Sequence, residues 1–465
     1  MPTDLDDIFG SLGRQADAIP LGTAEQARKR GRQRSRNGAL IAAGAAVCLV
    51  LAGVGVMVRP QRHADHPVTP APSAGPLPVV GSPLEFDPPV RESSAPDVAG
   101  GKVYTAWKAG DGKVTVAGAD LHTGRLDWKV TGMGLDDEIV SYGVRAAEQG
   151  IMVAVNDQIY VYDPAHENAN DWVLTAGDLD EVVPFDQALI RRWDINGQID
   201  AHNWRTGRKL WTLEPQADKA VRLIGVRAPS DGLTADSHSD GRMLAVTSSG
   251  KIQVRDAASG QLQRTITPAS PAQAGSMFVA YDGWLYEGGP PCCDSSAYRV
   301  VATNLATGES SVVLTEGVGH ALGGLDVCGP DRVCVLDQKD GGTSVSAVDV
   351  RQRKKIWTVA GPPDGSSLSS YNGTMLIGGG QNIVLLDAKG DELLSTPAIH
   401  VDWLDPNRLL VMPITGAGTV SVFDITTRKL TELGTVPQRV DMCAHSADRL
   451  VCPTTTDLRI YSLTG

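Results

Sequence analysis

One unit recurs along most of this 465-residue chain: an alternating strand ending in Asp or Asn, a tight turn often carrying Thr-Gly or Ser-Gly, and a second strand. Gly112–Val130 reads GKVTVAGADLHTGRLDWKV, Gly197–Leu213 reads GQIDAHNWRTGRKLWTL, and Gly250–Ile266 reads GKIQVRDAASGQLQRTI. The turn residues Asp120, Asp163, Asn203, Asp256, Asn304, Asp349, Asp387 and Asp424 stand 43, 40, 53, 48, 45, 38 and 37 residues apart. An Asp or Asn side chain accepts hydrogen bonds from the backbone just after it, and Gly supplies positive φ, so the turn is chemically specified. A strand–turn–strand unit at this period is the mark of a four-stranded propeller blade, which cannot bury its faces alone and stacks on its neighbours.

Other strand signals lie between the copies, such as IMVAV at Ile151–Val155 and MLAVT at Met243–Thr247, and no amphipathic helix of useful length follows residue 60. The expected fold is all-β. Eight complete units predict an eight-bladed β-propeller over residues 97–465. A ninth blade follows if the final fragment, LRIYSLTG, is completed by a strand from the other end, around Pro78–Val90 or Val103–Trp107. Trp128, Trp172, Trp211 and Trp357 fall in one slot of four copies. One phase repeated in this way is the signature of packing between blades rather than of four separate stacking sites for a sugar.

Charge is unevenly spread. Residues 1–36 carry seven Lys/Arg against five Asp/Glu, residues 37–58 carry none, and the remainder carries 35 against 49. The uncharged run NGALIAAGAAVCLVLAGVGVMV is long enough for a transmembrane helix: 21 residues from Gly38 to Val58 span about 32 Å, against about 30 Å of bilayer hydrocarbon. It ends in Val56-Met57-Val58-Arg59, a poor cleavage site, which favours an uncleaved anchor. The basic run Arg28–Arg36 just before it places residues 1–36 in the cytoplasm and the propeller outside the cell. Residues 59–96 are Pro-rich and read as an extracytoplasmic linker; His63, Asp65 and His66 within it have no shell to hold a metal. The acidic balance of the exported part, −14, excludes nucleic acid as the main partner.

Six cysteines lie beyond the apolar run, and exported thiols are expected to oxidise. Cys328 with Cys334, and Cys443 with Cys452, flank Asp-Arg turns that enter strands, RVCVLD and RLVCPT, in what read as equivalent places of two repeats. Each pair can close one hairpin between the inner strands of its blade. A zinc site made from the four lacks CxxC spacing. The other two, Cys292 and Cys293, sit side by side in GGPPCCDSSAYR.

The pattern Asp-x-x-Thr-Gly-x-x-x-Trp, at Asp120–Trp128 and, with Asn first, at Asn203–Trp211, resembles the repeat of the pyrroloquinoline-quinone-like (PQQ-like) propeller superfamily over about residues 100–465. That superfamily holds quinone-binding dehydrogenases and cofactor-free assembly scaffolds. In the quinoprotein alcohol dehydrogenases a vicinal Cys-Cys disulfide, in a Cys-Cys-Asp context, packs on one face of the quinone. The resemblance therefore makes Cys292, Cys293 and Asp294 candidate contacts for the quinone with calcium; Arg299 loosely matches an arginine there, and Trp284 could form a floor. The chain departs from those enzymes in three ways: the motif lies mid-chain, no calcium-ligand set is matched, and no Asp-rich catalytic motif is found. The competing reading is a structural vicinal disulfide that stiffens a rim loop for contact.

No further chemistry is assembled by sequence, and no catalytic or metal-ligating residue is assigned. Asp194–Asp200, DINGQID, resembles a calcium loop without its terminal Glu and reads as a hairpin turn. His122, His166, His202, His238, His320, His400 and His445 are dispersed one per loop or turn, although a propeller mouth can gather residues from several blades. Leu5, Ile8, Phe9 and Leu12 form one helical stripe in residues 3–16, which reads as a membrane-surface or disordered tail or, as the alternative, a docking segment for a cytoplasmic protein. The expected function is a non-enzymatic, membrane-anchored binding or assembly scaffold with an extracytoplasmic protein or ligand as partner. A quinone-dependent oxidoreductase and a sensor coupled to the inner tail are the alternatives.

Overall fold

A computed structural model describes residues 75–87, 90–134, 141–164, 172–177, 180–228, 240–273, 275–289, 297–339, 341–380, 382–397, 400–412, 418–437 and 442–464. Residues 1–36, the apolar run 37–58 and the Pro-rich stretch up to residue 74 lie outside them, as does the Cys292-Cys293-Asp294 motif. Among the described residues every element is a β-strand, and no helix is long and apolar enough to cross a membrane.

The strands form nine antiparallel sheets, eight of four strands and one of five. The inner strands of blades 1 to 9 are, in chain order, Asp97–Ala99, Tyr142–Ala147, Glu181–Pro184, Ala220–Gly225, Met277–Tyr281, His320–Gly329, Gly365–Tyr371, His400–Asp405 and Ala444–His445. The count is thus nine rather than eight. The terminal fragment is not a remnant: Asp457–Ser462 pairs with Arg449–Pro453 on one side and with Leu84–Glu85 on the other, at Leu84↔Leu458. The closing strand falls within Pro78–Val90, whereas Val103–Trp107 is built into blade 1.

The core explains why closure is required. Buried apolar side chains divide into nine clusters, one at each blade–blade interface. Blades 9 and 1 share the cluster of Val451, Leu458 and Ile460 with Val103, Trp107 and Leu121. Phe86 completes it, stacked on Trp107 with ring centroids 4.7 Å apart. Without the Leu84–Glu85 strand, both faces of that interface would be wetted. Residues 75–96 are therefore part of the propeller, which begins before residue 97: Leu77 is only 4% exposed, and Leu77 N–H donates to Thr435 O at 2.9 Å.

The turns behave as their residues dictate. Asp120 Oδ1 accepts from Thr123 N and Oγ1, each at 2.8 Å, and Asn203, Asp256 and Asp424 repeat the pattern. Each recurring Trp then docks on the next blade. Trp172 Nε1–H donates to Trp204 O at 2.7 Å, Trp211 to Ala257 O at 3.1 Å, and Trp357 to Ala388 O at 3.1 Å. The acceptor is in every case the residue after the turn Asp or Asn. The indoles lie against Gly207, Gly260 and Gly390, at φ +63°, +71° and +84°. The same turn position in blades 6 and 8 is Arg353 and Arg428, at φ +54° and +55°. Neither meets a Trp from the blade before, where Val312 and Leu394, each four residues past that blade's own turn glycine, take the slot. Trp128 packs across blades 1 and 2, its ring centroid 5.4 Å from that of Tyr162.

Candidate functional site

The inner strands of blades 1, 3, 6 and 8 carry acidic residues that tie each of these blades to the next. Asp97 of blade 1 caps Val98 N–H with Oδ1 and accepts Ala146 N–H of blade 2 at Oδ2, both at 2.8 Å. Asp326 of blade 6 caps Val327 N–H at 2.8 Å and reaches Ser370 N–H of blade 7 at 2.7 Å. Glu181 of blade 3 accepts Leu223 N–H of blade 4 at 2.7 Å. Asp402 of blade 8 occupies the same kind of place, with Oδ1 capping Trp403 N–H at 2.8 Å. Its Oδ2, however, meets a side chain: His445 Nε2 of blade 9, at 3.2 Å. The inner strand of blade 9 is only two residues long, Ala444–His445, so an imidazole takes the part that backbone N–H groups play elsewhere.

A second imidazole joins them. His400 lies two residues before Asp402 on one strand, hence on the same face. Ring nitrogens of His400 and His445 and a carboxylate oxygen of Asp402 all lie within 4.8 Å of one another. The His445 side chain is 7% exposed, and the Nε2 of His400 is shielded from solvent. Burial pushes the Asp402 carboxyl up, but the His445 hydrogen bond and charge, with the Trp403 N–H, more than offset this and hold it below the usual carboxylate range. Asp402 is therefore ionised at neutral pH. His400 also lines an open cleft of about 290 Å³ between blades 7 and 8, with Ser366, Ser367, Ser369, Gly378 and Gly379. Sequence reading missed this cluster because His445 stands 43 residues beyond Asp402 and the three carry no spacing motif. The signal lay in their positions relative to the repeat, at the inner strands of adjacent units.

The disulfides are Cys328–Cys334 and Cys443–Cys452, with Cα atoms 5.6 and 4.3 Å apart. Both join the first and second strands of their blades, but not at equivalent places. The blade 6 hairpin carries a bulge between Val327 and Gly329, which moves Cys328 out of register. Cys443 lies two residues before His445, so its bridge pins the short strand that carries the imidazole.

Of the quinone candidates, Arg299 begins a strand of blade 5, while Trp284 is a strand residue stacked on Tyr286 at 6.4 Å between ring centroids. Gly289, Ala297, Tyr298 and Arg299 line a cleft of about 380 Å³ with Glu287, and Trp284 is not among its lining residues. Glu287 is 7% exposed. Its Oε1 accepts from Gln273 N and Ser276 Oγ at 3.0 and 2.9 Å, and its Oε2 has no hydrogen-bond partner among the described residues. Burial raises the Glu287 carboxyl above its ordinary range despite those bonds and the nearby Arg299 charge. A third cleft, of about 350 Å³, lies over the inner strands of blades 3 to 5 and includes Arg222 and Arg227. These two are paired with Glu181 and Asp326.

The remaining histidines stay apart. His122 faces Asp448 at 4.0 Å, His202 stacks on Trp172, and His320 bonds Asp337 at 2.7 Å; His166 and His238 lie outside the described residues. Asp194–Asp200 is a hairpin turn, as expected. Asp194 pairs with Arg192, and Asp200 accepts from Trp193 Nε1 and Thr212 Oγ1, so its carboxylates are committed to protein partners.

No family model matches the sequence, and no curated protein matches it. Solved structures resemble it distantly. The computationally designed Ika8 protein shares 15% identity at a TM-score of 0.45, with 84% of this chain and all of that one covered. BamB from Moraxella catarrhalis shares 15% at 0.43, covering 74% and 97%. The Dos1 propeller shares 11% at 0.44, covering 84% and 95%. The fold stands on its own nine sheets, a β-propeller closed by its N-terminal strand.

Proposed function

We propose that this chain is a single-pass membrane protein that displays its propeller outside the cell as a binding or assembly scaffold. The observation that carries this reading is the form of the clefts on the blades. Those described hold about 290, 350 and 380 Å³ and are open. That is the lower end of the size range of small-molecule sites, and open clefts of this size can take the side chains of a partner protein. Anchoring through residues 37–58 and export are supported by the uncharged run, the basic flank before it and two disulfide-clasped hairpins beyond it. Residues 3–16 would give a cytoplasmic partner a helical stripe to hold.

A second reading, a quinone-dependent oxidoreductase, draws on the cleft beside Gly289 and Ala297–Arg299, the residues that flank the Cys292-Cys293-Asp294 loop. The two readings part in one titration. The full chain, purified in detergent, is titrated with pyrroloquinoline quinone and calcium while cofactor absorbance and melting temperature are followed. The scaffold reading expects no saturable binding. Saturable binding that disappears in Cys292→Ser would overturn it in favour of the enzyme.

A further inference from the structure

We infer that His400, Asp402 and His445 form a binding site for a first-row divalent cation, zinc above all, between the inner strands of blades 8 and 9. The three ligand atoms already converge within 4.8 Å. Zinc bonds of about 2.0–2.2 Å place ligand atoms roughly 3.3 Å apart. Asp402 and His445 meet that spacing at 3.2 Å, so only His400 has to close. It opens its strand, and rotation about its side-chain torsions brings a ring nitrogen inward.

The ligand chemistry narrows the ion. Two imidazoles and one carboxylate suit zinc, cobalt or nickel, whereas calcium and magnesium take oxygen ligands in larger number. The carboxylate is oriented by the Trp403 N–H on its other oxygen, as an outer-shell donor orients a metal ligand. Cys443–Cys452 anchors the strand bearing His445 from two residues away. Three protein ligands leave at least one position open. His400 borders the Ser367 and Ser369 cleft, so that position falls at the cleft's edge, where water or a partner's carboxylate or imidazole would complete the sphere.

A clamp between blades accounts for less. In blades 1 and 6 an aspartate reaches a backbone N–H of the next blade, and Asp326 also takes Ser370 Oγ and the Arg227 guanidinium. A clamp needs neither the second imidazole nor its place beside the carboxylate.

The test uses the full chain in detergent, stripped with a chelator and titrated with zinc chloride, with cobalt chloride as a spectroscopic probe. One equivalent should bind and raise the melting temperature, and cobalt should give visible absorption. His400→Gln leaves the Asp402–His445 contact in place. Read against its own metal-free melting temperature, it should weaken zinc by about tenfold or more. Asp402→Asn should abolish the cobalt absorption. The inference is overturned if no zinc-dependent shift appears. It is equally overturned if His400→Gln and Asp402→Asn bind zinc as tightly as the parent, which would assign the ion to other histidines.

Discussion

Replacing Gly260 with Ala tests the contact that repeats around the ring. Gly260 stands at φ +71°, and a Cβ there would lie 2.8 Å from Trp211 Cδ2 and 2.9 Å from its Cε3. Carbon atoms prefer about 3.5–4.0 Å, so the indole must retreat by roughly 0.7 Å or more. Three costs combine. The left-handed backbone costs an L-residue about 1–2 kcal/mol. Overpacking costs about 1–3 kcal/mol. The Trp211 Nε1–H bond to Ala257 O, 3.1 Å long, is strained or lost, for about 1 kcal/mol. The sum is about 3–6 kcal/mol. Gly241 in the same blade supplies the control: its φ is +75°, but a Cβ would meet nothing within 4 Å. Gly241→Ala should therefore cost only about 1–2 kcal/mol. In a Trp211→Ala background the extra cost of Gly260→Ala should vanish, leaving a coupling of about 2–4 kcal/mol in the double-mutant cycle. Urea denaturation of the full chain measures the parent and the four variants. Equal costs at Gly260 and Gly241, or an absent coupling, would refute the docking argument.

Closure, clasping and burial make three further predictions. Phe86→Ala removes a ring stacked on Trp107 at the junction of blades 9 and 1 and should cost about 3–5 kcal/mol in urea denaturation; a cost near zero would mean the N-terminal strand does not seal the ring. Cys443→Ser with Cys452→Ser opens a bridge between residues nine apart in sequence and should lower stability by about 2–3 kcal/mol in urea denaturation, a loss that reductant exceeds in the parent because it also opens Cys328–Cys334. Glu287 has its folded carboxyl raised by burial, so its charged form destabilises the protein as pH rises above the ordinary unfolded value, about 4.3. Glu287→Gln should accordingly raise the melting temperature at pH 8 and leave it unchanged at pH 4; an equal shift at both would show that the charge is not the cause.

Much of the fold is legible in the repeat because its turns are local chemistry. Asp120, Asn203 and Asp424 hold their turns through bonds that reach no further than three residues, and the docking Trp residues share one phase. The blade count was harder to read, since the ninth blade joins Asp457–Ser462 to Leu84–Glu85, and nothing local in a two-residue strand announces its partner. The hairpin disulfides were readable as pairs, while their different levels depend on a bulge at Val327/Gly329 that the sequence does not mark. The metal-ligand cluster was least legible. His400 and His445 are two of nine histidines, and what sets them apart is that neighbouring inner strands bring them to one carboxylate.

Protease treatment of right-side-out membrane vesicles carrying the full chain addresses the proposed arrangement of tail, anchor and propeller. Added protease should cut the chain between residue 59 and the propeller and release the nine-bladed ring, with Cys328–Cys334 and Cys443–Cys452 oxidised, while residues 1–36 stay protected. A propeller protected in sealed vesicles, or released without proteolysis by a salt wash, would contradict an anchored scaffold facing outward.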